Sequence, residues 1–414
     1  MEGPTQVSER PGTAADELPD LLYTDTERAL SDSLVSLLAD RGGLDKTLAR
    51  IESAQTYDDK LWQAVAADLG CAGLLIGERD GGAGASYREA AAAAEALGSF
   101  VAPVPFLGSA VVATAALLSI AAGAPVSSGT PFTPAKTAAD LLGRMADGSV
   151  TAALAVPFAT APGPQGSTAF PAGVRLAGPR AGDAATGVAR LRGMVSGVAD
   201  ALPAGVLLVP ADGVPHGLYL VDMSASGVAK APVTSLDMTR QLCDLSFDDA
   251  PGTLIASGPA ASRALDAALS AGAGILAAEQ IGLAQRCLDM TVAYVKERRQ
   301  FARPVGSFQG LKHRLADLWV AVTQARAASR YAAACLASGS PDARVAVALA
   351  KAYCSEVAVN AAQECVQMHG GIGFTWEHTA HLYLKRAKAD SIGFGTPDAH
   401  RAALASLVNL PAAP

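Results

Sequence analysis

The chain reads as an α+β protein in which a helical region, a region of short strands and a second helical region follow one another. Three observations predict this order. Half of the 414 residues are hydrophobic and 17% are charged, which is too apolar for a disordered chain and supplies material for a large core. Ala-rich periodic runs give way near residue 126 to short apolar runs punctuated by Gly, Pro and Asp, and after residue 258 long periodic runs return. The length exceeds what one small core serves, so several domains or layers are expected.

Residues 1–20 carry charges and three prolines where a signal peptide has an apolar run, and we read them as a disordered lead-in. Residues 21–125 are predicted to form an N-terminal helical domain, with the run Tyr87–Leu97 (YREAAAAAEAL) following a Gly-rich turn at Asp80–Gly84. No charge occurs from Ser99 to Ala135. Within it Leu107–Ala122 spans only about 24 Å as a helix, short of a bilayer core, so a buried helix is expected rather than a membrane span. Residues 126–258 read as a central β domain, with strands expected at Gly205–Pro210, Gly217–Val221 and Cys243–Phe247. Residues 259–414 read as a four-helix-type bundle. Its first helix carries Leu265, Leu269, Leu276, Leu283, Leu288, Val292 and Val295 near helical spacing, with a break expected at Gly272–Gly274. Ser340-Pro341-Asp342 and Thr396-Pro397-Asp398 each place a hydroxyl before a proline and an acid, a helix-start signal.

Lys and Arg total 32 against 39 Asp and Glu, a formal charge of -7, so no footprint for nucleic acid or an anionic membrane is present. The six cysteines are scattered without a CxxC pair and read as small core residues of a reducing cytoplasm. His369, His378 and His381 are close in sequence, but no Cys or carboxylate spacing completes a metal site, so structural roles are expected.

Two segments carry chemistry: Arg298–His313 (RRQFARPVGSFQGLKH) and Gln367–His378 (QMHGGIGFTWEH). Arg298 offers a planar fork for phosphate oxygens, and Gln300, Gln309 and Gln367 offer neutral donors. Gly370 and Gly371 permit close backbone approach. Blander readings stand beside these: Arg298 as an exposed helix-end cation, Phe301 and Phe308 as core aromatics, His313 as a helix-surface residue, Trp376 and Tyr383 as packing between helices.

Both segments resemble the acyl-CoA dehydrogenase family, and Gly77–Glu89 and Gly98–Ser109 extend the resemblance over the chain from about residue 56. It implies an FAD whose ADP half contacts Arg298, Gln300, Phe301, Gln309, Gln367, Gly370 and Gly371 while its flavin sits in the neighbouring subunit. It also implies an acyl-CoA substrate and an electron-transfer acceptor. Members of this family remove a proton α to the thioester while a hydride leaves the β carbon for the flavin, so a carboxylate base is needed. The family places that Glu directly before a Gly-Thr pair, where this chain has Phe394, or on the long helix at about Gly272, where Ser270–Ile275 holds no acid. Glu279 and Asp266 stand about two helical turns to either side of Gly272; Asp390 reads as a helix-face charge and Asp398 as a helix-start acid. Ala155–Pro162 (AVPFATAP) replaces the Ile-Thr-Glu-Pro-like loop of the family, whereas Leu236–Asp249 still resembles the exit from its β domain.

The run Trp376-Glu377-His378 with His381-Leu382-Tyr383 is similar to subunits of actinobacterial heterotetramers that oxidise steroid side-chain CoA thioesters. The expectation is a flavoprotein subunit of steroid-type lipid metabolism that lacks its own base and completes the FAD site of a related partner. Two alternatives stay open: a self-sufficient homo-oligomer with a displaced base, and a non-catalytic scaffold subunit.

Overall fold

A computed structural model describes residues 19–53, 55, 57–123, 134–163, 170–171, 173–177, 188–213 and 215–410. Most of the expected lead-in lies outside the described residues.

The amino-terminal part is helical: α1 (Asp25–Arg41), α2 (Leu44–Ile51), α3 (Asp59–Gln63), α4 (Tyr87–Ser99) and α5 (Thr114–Ala121). Thr24 and Ser86 each form a capping box, with Glu27 and with Glu89, so α1 and α4 start where their sequence says. Within the charge-free stretch a wide-turned π segment over Phe106–Ala113, buried throughout, runs into α5. A further helix, α6 (Pro134–Ala146), occupies the start of the region expected to be β. Its apolar face, Ala138, Leu141, Leu142 and Met145, is buried, so amphipathic packing outweighed the Gly- and Pro-rich surroundings.

Among the described residues seven strands form one sheet in the order β1-β4-β5-β7-β3-β2, with β6 also on β7. They are β1 (Ala152–Leu154), β2 (Val174–Ala177), β3 (Val188–Ala199), β4 (Val206–Ala211), β5 (Gly217–Asp222), β6 (Val228–Val233) and β7 (Leu242–Ser257). β1 and β4 run parallel, with Ala153 opposite Leu207. The β7 strand is the spine, pairing with β3, β5 and β6. Leu191, Val195, Leu207, Val209, Tyr219, Leu245 and Phe247 form a core of their own on the sheet.

The carboxyl-terminal part contains α7 (Pro259–Glu297), α8 (Gln309–Ser338), α9 (Ala343–His369), α10 (Ala380–Ile392) and α11 (Pro397–Leu407). The expected break at Gly272–Gly274 does not occur: α7 is continuous over 39 residues. Packing explains it. A Cβ on Gly272 would lie 2.8 Å from the Phe394 ring and one on Gly274 2.7 Å from Leu336, so these glycines admit close neighbours. The same device brings α4 against α7, where a Cβ on Gly282 would fall 1.9 Å from the Glu95 carbonyl oxygen. Thr396 caps α11 as expected, its hydroxyl accepting from Ala399 N at 3.3 Å with Pro397 at the first position. At the other signal, Pro341 and Asp342 form a turn instead, closed by Ala343 N to Ser340 O at 3.0 Å, and α9 starts after it. The two helices long and apolar enough to cross a bilayer, Pro259–Glu297 and Ala343–Phe374, lie largely in the interior. All six cysteines are free and buried.

Candidate functional site

The Arg298 motif begins where α7 stops. Arg298 is its C-cap, donating backbone N–H to Tyr294 O at 2.8 Å, and Val305 N returns to Arg298 O at 2.8 Å. Between them a hairpin pairs β8 (Arg299–Gln300) with β9 (Arg303–Pro304). Its two turn residues, Phe301 and Ala302, have φ of 52° and 60°, the left-handed conformation a two-residue hairpin turn demands and that a bulky side chain adopts at a cost. The turn projects Phe301 into solvent, 85% exposed, which sets aside its reading as a core aromatic. Phe308 is part-buried instead, with the Arg303 guanidinium 3.9 Å above its ring.

The second motif ends α9. Gly370 is the C-cap at φ 62°, and a Cβ on Gly370 or Gly371 would meet nothing within 4 Å, so the backbone there is open to a ligand. Tyr294 stacks on His369 with centroids 4.4 Å apart, which joins the end of α7 to the end of α9 and so brings both motifs to one surface. Arg298, Gln300, Phe301, Gln309, Gln367, Gly370 and Gly371 are all exposed there, and the side chains of Arg298, Gln300, Gln309 and Gln367 have no hydrogen bond among the described residues. One exposed cationic fork, three free amides and an uncovered Gly-Gly backbone fit a diphosphate with its adenosine.

The two positions at which the resemblance expects a base lie in the packed interior. Phe394, buried at φ 51°, packs edge-on against Phe158 of the Ala155–Pro162 loop with centroids 5.4 Å apart. Its N–H donates to Phe158 O at 2.8 Å and its carbonyl accepts from His400 Nε2 at 2.8 Å. The two positions at which the resemblance expects a base therefore touch each other, because the Phe394 ring occupies the space into which a side chain at Gly272 would extend. Gly393 is needed in turn by the Phe158 ring, 2.3 Å from a Cβ placed there.

Beneath these rings lies a buried ionic cluster that joins all three parts of the chain. Arg240 contacts Glu279 at 2.6 Å, Asp390 at 3.3 Å and Asp200 at 4.0 Å; Arg386 contacts Glu279 at 2.8 Å and Asp237 at 3.1 Å. Asp200 accepts from Gly108 N at 2.9 Å, tying in the amino-terminal region. Burial opposes ionisation of Glu279, but Arg240 and Arg386 outweigh it and hold its pKa down at about 2, unsuited to accepting a proton from carbon. Asp266 pairs with Arg344 at 2.5 Å. Asp398 sits in the first turn of α11, as expected. Asp390 departs from its expected place on a helix face: it is fully buried. Burial first and the Glu279 charge second push its pKa up to about 8. Lys351, also fully buried, donates to Ser355 Oγ at 2.9 Å, Asp390 O at 3.0 Å and Gly395 O at 3.2 Å, and so anchors the Phe394 loop.

Because Asp390 binds its proton more tightly when folded, its contribution to stability is full below the ordinary aspartate value of 3.8 and is lost as pH rises through about 8. Asp390→Asn should flatten that decline. Urea midpoints of wild type and variant should differ progressively between pH 5 and pH 8, and parallel curves would contradict the assignment.

His369 and His378 are ring neighbours, centroids 4.4 Å apart. Tyr383 packs between helices as expected, its hydroxyl donating to Ser99 O at 2.7 Å. Trp376 does not: it is 41% exposed, stacks on His381 and donates to Glu52 at 2.5 Å. His313 is on an exposed helix surface. The sequence reading missed Arg240, Arg386 and Lys351. Arg386 and Asp390, spaced i,i+4, were the one local sign of the cluster.

Residues 24–124 match the family model "Acyl-CoA dehydrogenase, N-terminal domain" and residues 262–408 match "Acyl-CoA dehydrogenase, C-terminal domain". Acyl-CoA dehydrogenase IpdE2 of Mycolicibacterium smegmatis is 33% identical over 368 residues, 89% of this chain and 94% of the relative. The namesake in Mycobacterium tuberculosis is 33% identical over 358 residues, 86% and 89% of the two chains. Among solved structures, a Tcur3481-Tcur3483 steroid ACAD variant superposes with a TM-score of 0.77 at 29% identity, covering 93% of this chain and 98% of that one. The ChsE4-ChsE5 complex from Mycobacterium tuberculosis superposes with a TM-score of 0.79 at 24% identity, covering 95% and 100%, and shows the shared fold. The sheet clasped between two helical regions, the exposed arginine and Gly-Gly motifs and these relatives together show that the chain belongs to the acyl-CoA dehydrogenase family of oxidoreductases.

Proposed function

We propose that this chain is one subunit of a hetero-oligomeric, FAD-dependent acyl-CoA dehydrogenase. It holds the ADP half of an FAD whose flavin lies in a related partner subunit. The partner supplies the flavin pocket, the acyl-CoA site and the carboxylate base, and a separate electron-transfer protein serves as acceptor. The single observation that carries this reading is the contact of Phe394 with Gly272. Each of the two base positions lacks a carboxylate, and the ring of one fills the room of the other, while the ADP-side residues remain exposed and free.

Chemistry sharpens the argument. The flavin, when bound, accepts the hydride; the protein must supply a base poised near the working pH. Glu279 is neutralised by two arginines, and Asp266 is tied to Arg344. Exposed apolar side chains on the bundle, Trp319, Val320 and Leu349 with Phe301, supply surface for a partner. The relative named a Tcur3481-Tcur3483 steroid ACAD supports a steroid-derived acyl thioester as substrate and an assembly of unlike chains, for which we propose a cytoplasmic heterotetramer.

The test is flavin stoichiometry in the complex co-purified from the native host. One FAD per pair of unlike chains is expected, and the chain purified alone should show no acyl-CoA-dependent flavin bleaching. A flavin-loaded homo-oligomer that turns over acyl-CoA would overturn the reading.

A further inference from the structure

The arginine motif and the Gly-Gly motif lie on different helices, and a set of three rings fixes one against the other. Tyr294, one turn before Arg298, lies nearly parallel to His369 with planes 28° apart and centroids 4.4 Å apart. His378 meets the same imidazole at 4.4 Å with a 47° tilt. His369 cannot swing away, because its Nδ1 lies 2.6 Å from the Cys365 carbonyl oxygen one turn back. Tyr294 is held from its own side: its carbonyl accepts the Arg298 N–H at 2.8 Å. One residue thus closes α7 at Arg298 with its backbone and grips the residue before Gly370 with its ring.

The spacing matters for an electrostatic reason. Both α7 and α9 bring their carboxyl ends to this surface, where the negative end of each helix dipole disfavours an anion. A diphosphate is accepted only where the Arg298 fork stands between it and those helix ends while Gln367 reaches it from the other helix. A shift of α9 against α7 by about an ångström breaks that arrangement.

We propose that Tyr294, His369 and His378 are positioning residues for the ADP cradle, setting the separation of Arg298 from Gln367 and Gly370 so that both helices hold one ligand. This rests on the reading of the two motifs as half of an FAD site.

The experiment measures FAD dissociation from the flavin-loaded, co-purified complex by the recovery of flavin fluorescence on dilution. Tyr294→Leu should raise the dissociation constant roughly two- to tenfold, the range a lost ring pair produces. Tyr294→Phe, which keeps the ring, should restore the wild-type value. Subunit stoichiometry should not change, and the loss of affinity should exceed what any fall in the thermal midpoint of the flavin-free complex accounts for, as it would not if the rings served packing alone. Should Tyr294→Leu fail to assemble, His378→Leu decides, with a smaller rise in the same direction expected. Wild-type affinity in both leucine variants, or Tyr294→Phe as weak as Tyr294→Leu, would overturn the proposal provided that Arg298→Glu loses flavin. If Arg298→Glu also keeps its flavin, the underlying reading of the cradle fails instead.

Discussion

Arg298→Glu should empty the flavin site of the assembled complex. The exposed guanidinium at the C-cap of α7 is the one full charge among the seven cradle residues, and a carboxylate there would face both the diphosphate and the carboxyl end of its own helix. Reversing a charge that pairs with phosphate costs about 2–5 kcal/mol, so affinity should fall roughly thirtyfold to several thousandfold. Because Arg298 is exposed and unengaged in the protomer, the fold should not suffer. The measurement is the ratio of flavin absorbance to protein absorbance in complex purified side by side with wild type. Full flavin content in a correctly assembled variant would refute the assignment.

Arg386→Met should be the most damaging substitution for stability. The Arg386 side chain touches Glu279 and Asp237, and it donates to Thr239 Oγ1 at 3.0 Å, all within a buried cluster. Removing one member of a buried ion pair leaves its partner charged and dry, typically about 3–5 kcal/mol, a large fraction of the stability of a domain. The pH dependence carries the same signature. Since the pKa of Glu279 is depressed in the folded chain, its stabilisation is present above its ordinary value of 4.5 and is lost as pH falls through about 2. The variant should lose less on acidification than wild type, because half of what holds Glu279 down is already gone. Urea midpoints at pH 7 read the first effect and the change in midpoint between pH 4 and pH 2 reads the second; an unchanged midpoint at pH 7 would show that the cluster does not bind the three parts together.

How much of this was legible beforehand depended on distance along the chain. The capped starts of α4 and α11, the strands at Val206–Ala211 and Gly217–Asp222, and the arginine and Gly-Gly motifs follow from neighbours a few residues apart, and each is readable from local rules. Helix α6 was not read, since its amphipathic face is short and its surroundings are rich in Gly and Pro. The absence of a carboxylate at Phe394 and at Gly272 is a property of the sequence. That the two positions meet is not, because 122 residue numbers separate them and only the packing of α7 against the loop after α10 brings them together.

By itself, then, the sequence determined the order of helical, strand and helical regions, the family resemblance, the two motifs on which the proposed ADP cradle rests and the lack of an acid at Phe394 and at Gly272. Local propensity and motif spacing suffice for these, because each depends on residues that are close in the chain. Tertiary structure alone decided that α7 runs unbroken through Gly272–Gly274, since helix propensity prices a glycine against water and not against the Phe394 and Leu336 side chains that need its missing Cβ. It alone decided that Asp390 is interior, where Arg240 reaches it across 150 positions of chain. And it alone decided that Tyr294 lies on His369, because a stack between two helices depends on how those helices cross, which no window of sequence contains.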